Sequence, residues 1–220
     1  SRRKGVSALQ REAFQKELLQ RALKEGFTDC EIYYEATKTF EVLVLEGEIS
    51  QYETSSQIGI CFRGVYQNKM GYAYATALEE DTVNYCLHQA KENAKIIEEA
   101  EKEMIFEGSS FYPEMDNYNP ALEKLSPKEK MAAAKAMEQG ALQEYDQVSI
   151  DYCVLRTMEK TIAIANSKGL SLFHRKNGIA ASVSTIAQQN GDVKTGSEDW
   201  RSNDWSAFSP KEIGRRAGQK

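Results

Sequence analysis

Histidine is almost missing from this chain, with only His88 and His174 among 220 residues. A hydrolytic zinc centre needs nitrogen or thiolate ligands at short spacing, most often His-Glu-x-x-His on a helix. Neither histidine is followed by a second imidazole two or four residues on, so both read as surface or hydrogen-bonded side chains. Cysteine is also sparse: Cys30, Cys61, Cys86 and Cys153 lie far apart and form no CxxC pair. Such thiols in an acidic chain of this size read as reduced, in a cytoplasm. Cys61, between Ile60 and Phe62, and Cys153, between Tyr152 and Val154, read as core positions rather than nucleophiles.

Other absences narrow the field further. There is no apolar run of 18 residues to cross a membrane as a helix, and no charged n-region followed by an apolar stretch. Glycine-rich phosphate loops and the Gly-x-Ser-x-Gly elbow are both missing. Lys and Arg total 28 against 33 acidic residues, for a net charge of -5, which argues against direct binding of nucleic acid. Tyr33, Tyr52, Tyr66, Tyr72 and Tyr74 could stack bases, but only Arg63 and Lys69 accompany them, so they read as strand-packing aromatics. Glu31 and Glu35 flank Tyr33 on one strand face and could do acid–base work. The blander reading is a solvated face. No catalytic, cofactor-binding or metal-binding residue is assigned on this segment.

What remains is a regular alternation of helices and strands. Residues 8–24 predict an amphipathic helix, with Phe14, Leu18 and Ala22 on one face and Gly26 as its stop. Strands follow at 30–36, 40–45, 49–54, 58–65 and 70–75, with turns at Glu46-Gly47-Glu48 and Gln67-Asn68-Lys69. A long helix is predicted over 78–103, then a packed connecting loop over 106–125. Ser126-Pro127-Lys128-Glu129 opens an alanine-rich helix to about residue 145. Strands return at 149–155, 161–165, 171–175, 179–187 and 193–199. Asn166-Ser167-Lys168-Gly169 and Asn190-Gly191-Asp192 are read as hairpin turns. Ser209-Pro210-Lys211-Glu212 predicts a further capping box and helix. The fold class expected is α+β, with mostly antiparallel sheet and long amphipathic helices. Residues 1–11 read as a tag or disordered lead. Residues 12–208 read as one domain in two sub-segments, 12–105 and 126–208. Residues 209–220 read as the start of a helix leading to a missing C-terminal domain.

Three groups of residues carry a resemblance. They are Glu46-Gly47-Glu48-Ile49, Gly59-Ile60-Cys61-Phe62-Arg63 and Lys69-Met70-Gly71-Tyr72-Ala73. With the turn at 166–170 and the hairpin QNGDVKTGSEDW, their order resembles the N-terminal domain of the TldD/PmbA family, from about residue 12 onward. The resemblance implies a cytoplasmic metallopeptidase system, a hydrolase once named as a modulator of DNA gyrase, acting on small or unfolded polypeptides. It implies a dimer, either a heterodimer with a homologous TldD-type subunit or a homodimer. Zinc is implied in the catalytic partner or in a C-terminal domain, with none on this segment. The loop before residue 125 and the 166–170 turn resemble the non-catalytic PmbA/TldE type, whose role here would be assembly and lining a peptide chamber. Two alternatives stay open: the N-terminal domain of a catalytic TldD-type subunit, and a non-enzymatic binding module. The peptide-holding element expected on physical grounds is a sheet edge that takes up an extended backbone as one more strand.

Overall fold

A computed structural model of the chain describes residues 7–98, 104–143 and 145–220. Among the described residues five α-helices and six strands follow in the order α1 (Ala8–Lys24), β1 (Phe27–Leu45), β2 (Glu48–Tyr66), β3 (Lys69–Ala75), α2 (Thr82–Ile96), α3 (Pro120–Glu123), α4 (Pro127–Leu142), β4 (Val148–Asn166), β5 (Ser171–Gln189), β6 (Asp192–Ser202) and α5 (Pro210–Gln219). The strands form a six-stranded antiparallel sheet in the order β3-β2-β1-β4-β5-β6, so the expected α+β class holds.

The strands differ from the sequence expectation in length. Four pairs of segments read as separate short strands are each a single strand of 19 residues. The apolar alternation lapses at Thr37-Lys38-Thr39, Ser55-Ser56-Gln57, Glu159-Lys160 and Lys176-Asn177, but the backbone stays extended there. A neighbouring strand satisfies main-chain groups whatever the side chains are, so pairing carries a strand through a polar stretch. The tight turns are where the sequence puts them. Glu46 and Gly47, Gln67 and Asn68, and Asn190 and Gly191 each supply two successive left-handed residues, the geometry that matches hairpin twist.

Helix ends were partly legible. Ser126 and Glu129 form the expected reciprocal cap, with the Glu129 N–H donating to Ser126 Oγ at 3.2 Å and the Ser126 N–H donating to Glu129 Oε2 at 2.8 Å. The corresponding cap on α5 does not form: Ser209 makes no side-chain cap bond, and Glu212 pairs instead with Arg215 and Arg216. α2 begins at Thr82, not at residue 78, because Thr82 Oγ1 closes a turn by accepting from the Glu79 N–H and donating to the Ala77 carbonyl. It ends at Ile96, and the expected extension over 99–103 lies outside the described residues. α1 takes in residues 8–11, part of the stretch read as a lead, and starts on a capping box of Ser7 and Gln10.

The described residues fall into two compact units, interleaved in sequence. Unit 1 draws on 1–37, 56–115 and 161–174; unit 2 draws on 38–55, 116–160 and 175–220. The division does not follow the sub-segments read from the sequence, because the 19-residue strands pass from one unit into the other.

In unit 1, α1 and α2 bury Phe14, Leu18, Val83 and Leu87 against Ile32, Tyr34, Ile60 and Phe62. α2 lies directly on β3: a Cβ built on Gly71 would stand 1.9 Å from the Ala90 carbonyl oxygen. In unit 2, α4 and α5 bury Ala134, Met137 and Ile213 against Val42, Val44, Leu155 and Val183. Trp200 and Trp205 both pack on Phe208, with ring centroids 4.8 and 5.1 Å away. The α4–α5 crossing is tight enough to exclude a methyl group. A Cβ on Gly214 would lie 1.8 Å from the Met137 carbonyl oxygen. Glu138, on α4 and 1% exposed, accepts the Gly47 N–H on Oε2 at 2.6 Å, which fastens the β1–β2 turn to the helix.

Gly214→Val therefore drives a side chain into the α4 backbone. The expected loss is about 2–3 kcal/mol of unfolding free energy, measured by urea denaturation. Gly59→Ala, which meets nothing within 4 Å, serves as the control and changes stability by less than about 1 kcal/mol.

Candidate functional site

The carboxylate pair singled out in the sequence separates on folding. Glu31 is 6% exposed and not solvated. Its Oε1 accepts from Arg63 Nε and Nη2 at 2.9 and 2.7 Å, and its Oε2 accepts from Asn166 Nδ2 at 3.2 Å. Asn166 then spends every polar atom of its side chain. Nδ2 also donates to the Phe106 carbonyl at 2.6 Å, and Oδ1 accepts from the Lys168 and Leu170 N–H groups at 3.0 and 3.1 Å. Ser167 completes the attachment, its N–H donating to the Cys30 carbonyl and its Oγ accepting the Cys30 N–H. The Asn-Ser-Lys-Gly turn is thus a lock on β1 within unit 1, built around an ion pair with all its partners satisfied. Glu35 goes elsewhere: it accepts the Tyr33 hydroxyl at 2.8 Å. Burial first, and that bond second, hold the Tyr33 phenol above its usual pKa.

A cleft of about 390 Å3 opens beside Tyr33 and Glu35 in unit 1, lined also by Gln57, Gly59, Cys61 and Tyr74. Cys61 is half-buried here, not a core residue as its apolar neighbours suggested. Burial raises its thiol pKa, and a hydrogen bond with Tyr74 offsets part of that. Cys30, Cys86 and Cys153 are buried, and desolvation pushes their thiols up to about 11, 11 and 12. Such thiols are poor ligands and poor nucleophiles. His88 is exposed on α2, and His174 is half-buried on β5. No group of three His, Cys, Asp or Glu side chains that could hold a metal occurs among the described residues, so they do not fit the zinc of the family resemblance. The five tyrosines are not one cluster either. Tyr33, Tyr66, Tyr72 and Tyr74 belong to unit 1, with Tyr66 packed on Phe27, while Tyr52 belongs to unit 2 and stacks on Phe40. No helix among the described residues is long and apolar enough to cross a membrane.

The sheet edges differ in how they are covered. β3, the edge strand of unit 1, is closed by α2: Asn93 Oδ1 accepts the Tyr72 N–H at 2.9 Å, as a neighbouring strand would. In unit 2, β5 has no β6 partner before Ile179, and the loop takes that place. Asn117 makes a parallel bridge to Lys176, and Asn119 and Asn177 exchange hydrogen bonds at 2.8 Å. Arg175 pins this strap, lying 3.9 Å over the Tyr118 ring and pairing with Glu123 and Glu159. The β6 edge carries Asp192, Lys194, Glu198, Asp199 and Arg201, a charged guard against pairing, and Lys220 donates to its Ser197 carbonyl at 2.8 Å. β2 is different. β3 pairs with it only over Ile60–Tyr66, and residues 48–55 of unit 2 have no strand on their outer side among the described residues. All but Ile49 and Ser55 of those eight are exposed. Eight extended residues span about 26 Å, enough for a peptide strand of ordinary length. This bare edge was hidden in the sequence, because the lapse at Ser55-Ser56-Gln57 suggested two short strands.

Two family models match the chain: PmbA/TldA metallopeptidase domain 1 over residues 30–94, and the PmbA/TldA metallopeptidase central domain over 120–220. Among solved structures, one from Thermotoga maritima named as a modulator of a DNA gyrase is 27% identical, with a TM-score of 0.84. TldE from Thermococcus kodakarensis is 21% identical at 0.83, and a protein from Bacteroides thetaiotaomicron named as a modulator of DNA gyrase is 13% identical at 0.82. The last two speak to fold alone. Each match covers 94% of this chain but 47%, 47% and 48% of the other, so the chain spans about half the length of these proteins. No curated protein matches it in sequence. The fold is therefore that of the TldE and gyrase-modulator structures, an antiparallel sheet carrying helices. With both family models in place across most of its length, the chain belongs to the PmbA/TldD family.

Two outcomes follow for unit 1. Asn166→Ala strands Glu31 Oε2 and the Phe106 carbonyl, and should cost about 1–3 kcal/mol in chemical denaturation. Asn166→Asp sets a second carboxylate against Glu31, so its deficit should be larger at pH 8 than at pH 5, where protonation relieves the repulsion. Titration of the native protein with Ellman's reagent at pH 8 should release about one thiol, from Cys61, and denatured protein all four.

Proposed function

We propose that this chain forms the peptide-holding and assembly part of a PmbA/TldD-type metallopeptidase acting on small or unfolded polypeptides, and that it is of the non-catalytic PmbA/TldE type. Zinc would then come from a related TldD-type subunit or from a further part of the protein. The observation that carries the reading is the bare 48–55 edge of β2, in a sheet whose other edges are met by Asn93 at Tyr72, by the 116–119 strap at Lys176 and Asn177, and by charge along β6. An unfolded substrate has no surface to recognise except its backbone and scattered side chains. A strand edge reads the backbone through main-chain hydrogen bonds and asks little of the sequence. Membership of the family supplies the metallopeptidase context, and a cytoplasmic setting is consistent with four free cysteines.

The natural full-length protein, purified alone, should carry far less than one zinc per chain by mass spectrometry. It should show peptidase activity only when a TldD-type subunit is added, with the two co-eluting in size-exclusion chromatography. About one zinc per chain with activity in isolation would make it the catalytic type. Failure to join a related subunit would remove the assembly role.

A further inference from the structure

The bare edge is not neutral. From residue 39 to 55 the chain holds four glutamates, Glu41, Glu46, Glu48 and Glu53, and no lysine or arginine. Two are met by cations of unit 2: Glu41 pairs with Arg156, and Glu48 with Lys135 at 3.1 Å. Glu46 and Glu53 are exposed and have no ion pair among the described residues. Tyr52, next to Glu53 along the strand and so on its opposite face, is 59% exposed, its ring stacked on Phe40 at 6.4 Å between centroids. An exposed aromatic ring held in place suits the alkyl stem of lysine or arginine, and an unpaired carboxylate suits its cationic head.

Charge also chooses between occupants. A second copy pairing through the same edge would set one acidic edge against another, and like charges brought together across strands are destabilising. A strand bearing cations meets the opposite condition. We infer that residues 48–55 of β2 are a binding site for an extended peptide carrying lysine or arginine. The inference rests on reading this edge as the peptide-holding element, and adds to it a class of ligand. Main-chain bonds would hold the peptide; Glu46, Glu53 and Tyr52 would select it.

The test uses the full chain and three synthetic peptides of equal length. One alternates lysine with threonine, one has glutamate for each lysine, and one is the lysine peptide N-methylated at alternate amides. Binding is read by fluorescence anisotropy, and the site by amide hydrogen exchange. The lysine peptide should bind at least about tenfold tighter than the glutamate peptide at low salt, with the gap narrowing as salt rises. It should slow exchange within 48–55, and N-methylation should abolish both effects. Glu46→Gln with Glu53→Gln should weaken binding several-fold, while Glu17→Gln with Glu79→Gln, which removes equal charge from exposed positions of unit 1, should not. Equal binding of the lysine and glutamate peptides, still lost on N-methylation, would overturn the charge selection and leave the edge reading standing. No protection within 48–55 by any peptide would overturn both. Protection there that grows with protein concentration alone would assign the edge to a second copy and overturn the peptide site.

Discussion

Backbone meeting backbone without a side chain between them sets the depth at which the helices of each unit lie. In unit 2, Gly214 meets the Met137 carbonyl, and Gly140 and Gly218 repeat the arrangement against Lys211 and Ala141. In unit 1, Gly71 meets Ala90. Burying an apolar helix face is non-directional and would tolerate many depths. A contact that excludes even a methyl group fixes one. That depth lets Asn93 of α2 reach the edge of β3, and Glu138 of α4 reach the β1–β2 turn. Polar partners placed on helices work as part of the sheet only because the helices cannot lie further out.

Much of this was written plainly in the chain. The helix at 8–24 and the hairpin turns at 46–47, 67–68 and 190–191 follow from local chemistry, so residues a few positions apart were enough to read them. The strand lengths were not legible, since what carries β1 or β4 through a polar stretch is a neighbour distant in sequence. The Ser209 cap failed for a similar reason: Glu212 had better partners in Arg215 and Arg216. Glu31 looked like half of a solvated acid pair because Glu35 is two residues away, while the residues that claim it are Arg63 and Asn166. The Asn-Ser-Lys-Gly stretch read as a turn, which it is. Nothing local announced that its asparagine would also hold a carboxylate and a loop carbonyl.

The functional reading depends on the same contrast between local and distant information. Edges are made by which strands fail to meet, and no single segment reports that. Once the sheet order is known, three edges have identifiable closures of different kinds: a helix side chain, a strap of loop and a row of charges. Natural sheets manage exposed strands in such ways, and a long edge left bare with little charge is a liability unless something occupies it. The stretch from Ile49 to Ser55 has one charge, Glu53, and no proline.

Both tryptophans of the chain, Trp200 and Trp205, sit on Phe208 in unit 2, and unit 1 has no tryptophan. The protein is therefore labelled by nature on one side of its own division. Indole emission follows the surroundings of a single stacked group in unit 2, and a thiol probe on half-buried Cys61 would speak for unit 1. A melt followed by both signals would coincide if the interleaved units give way together, and part if they do not. Four long strands threaded through both make that shared or separate cooperativity a property of the chain's weave.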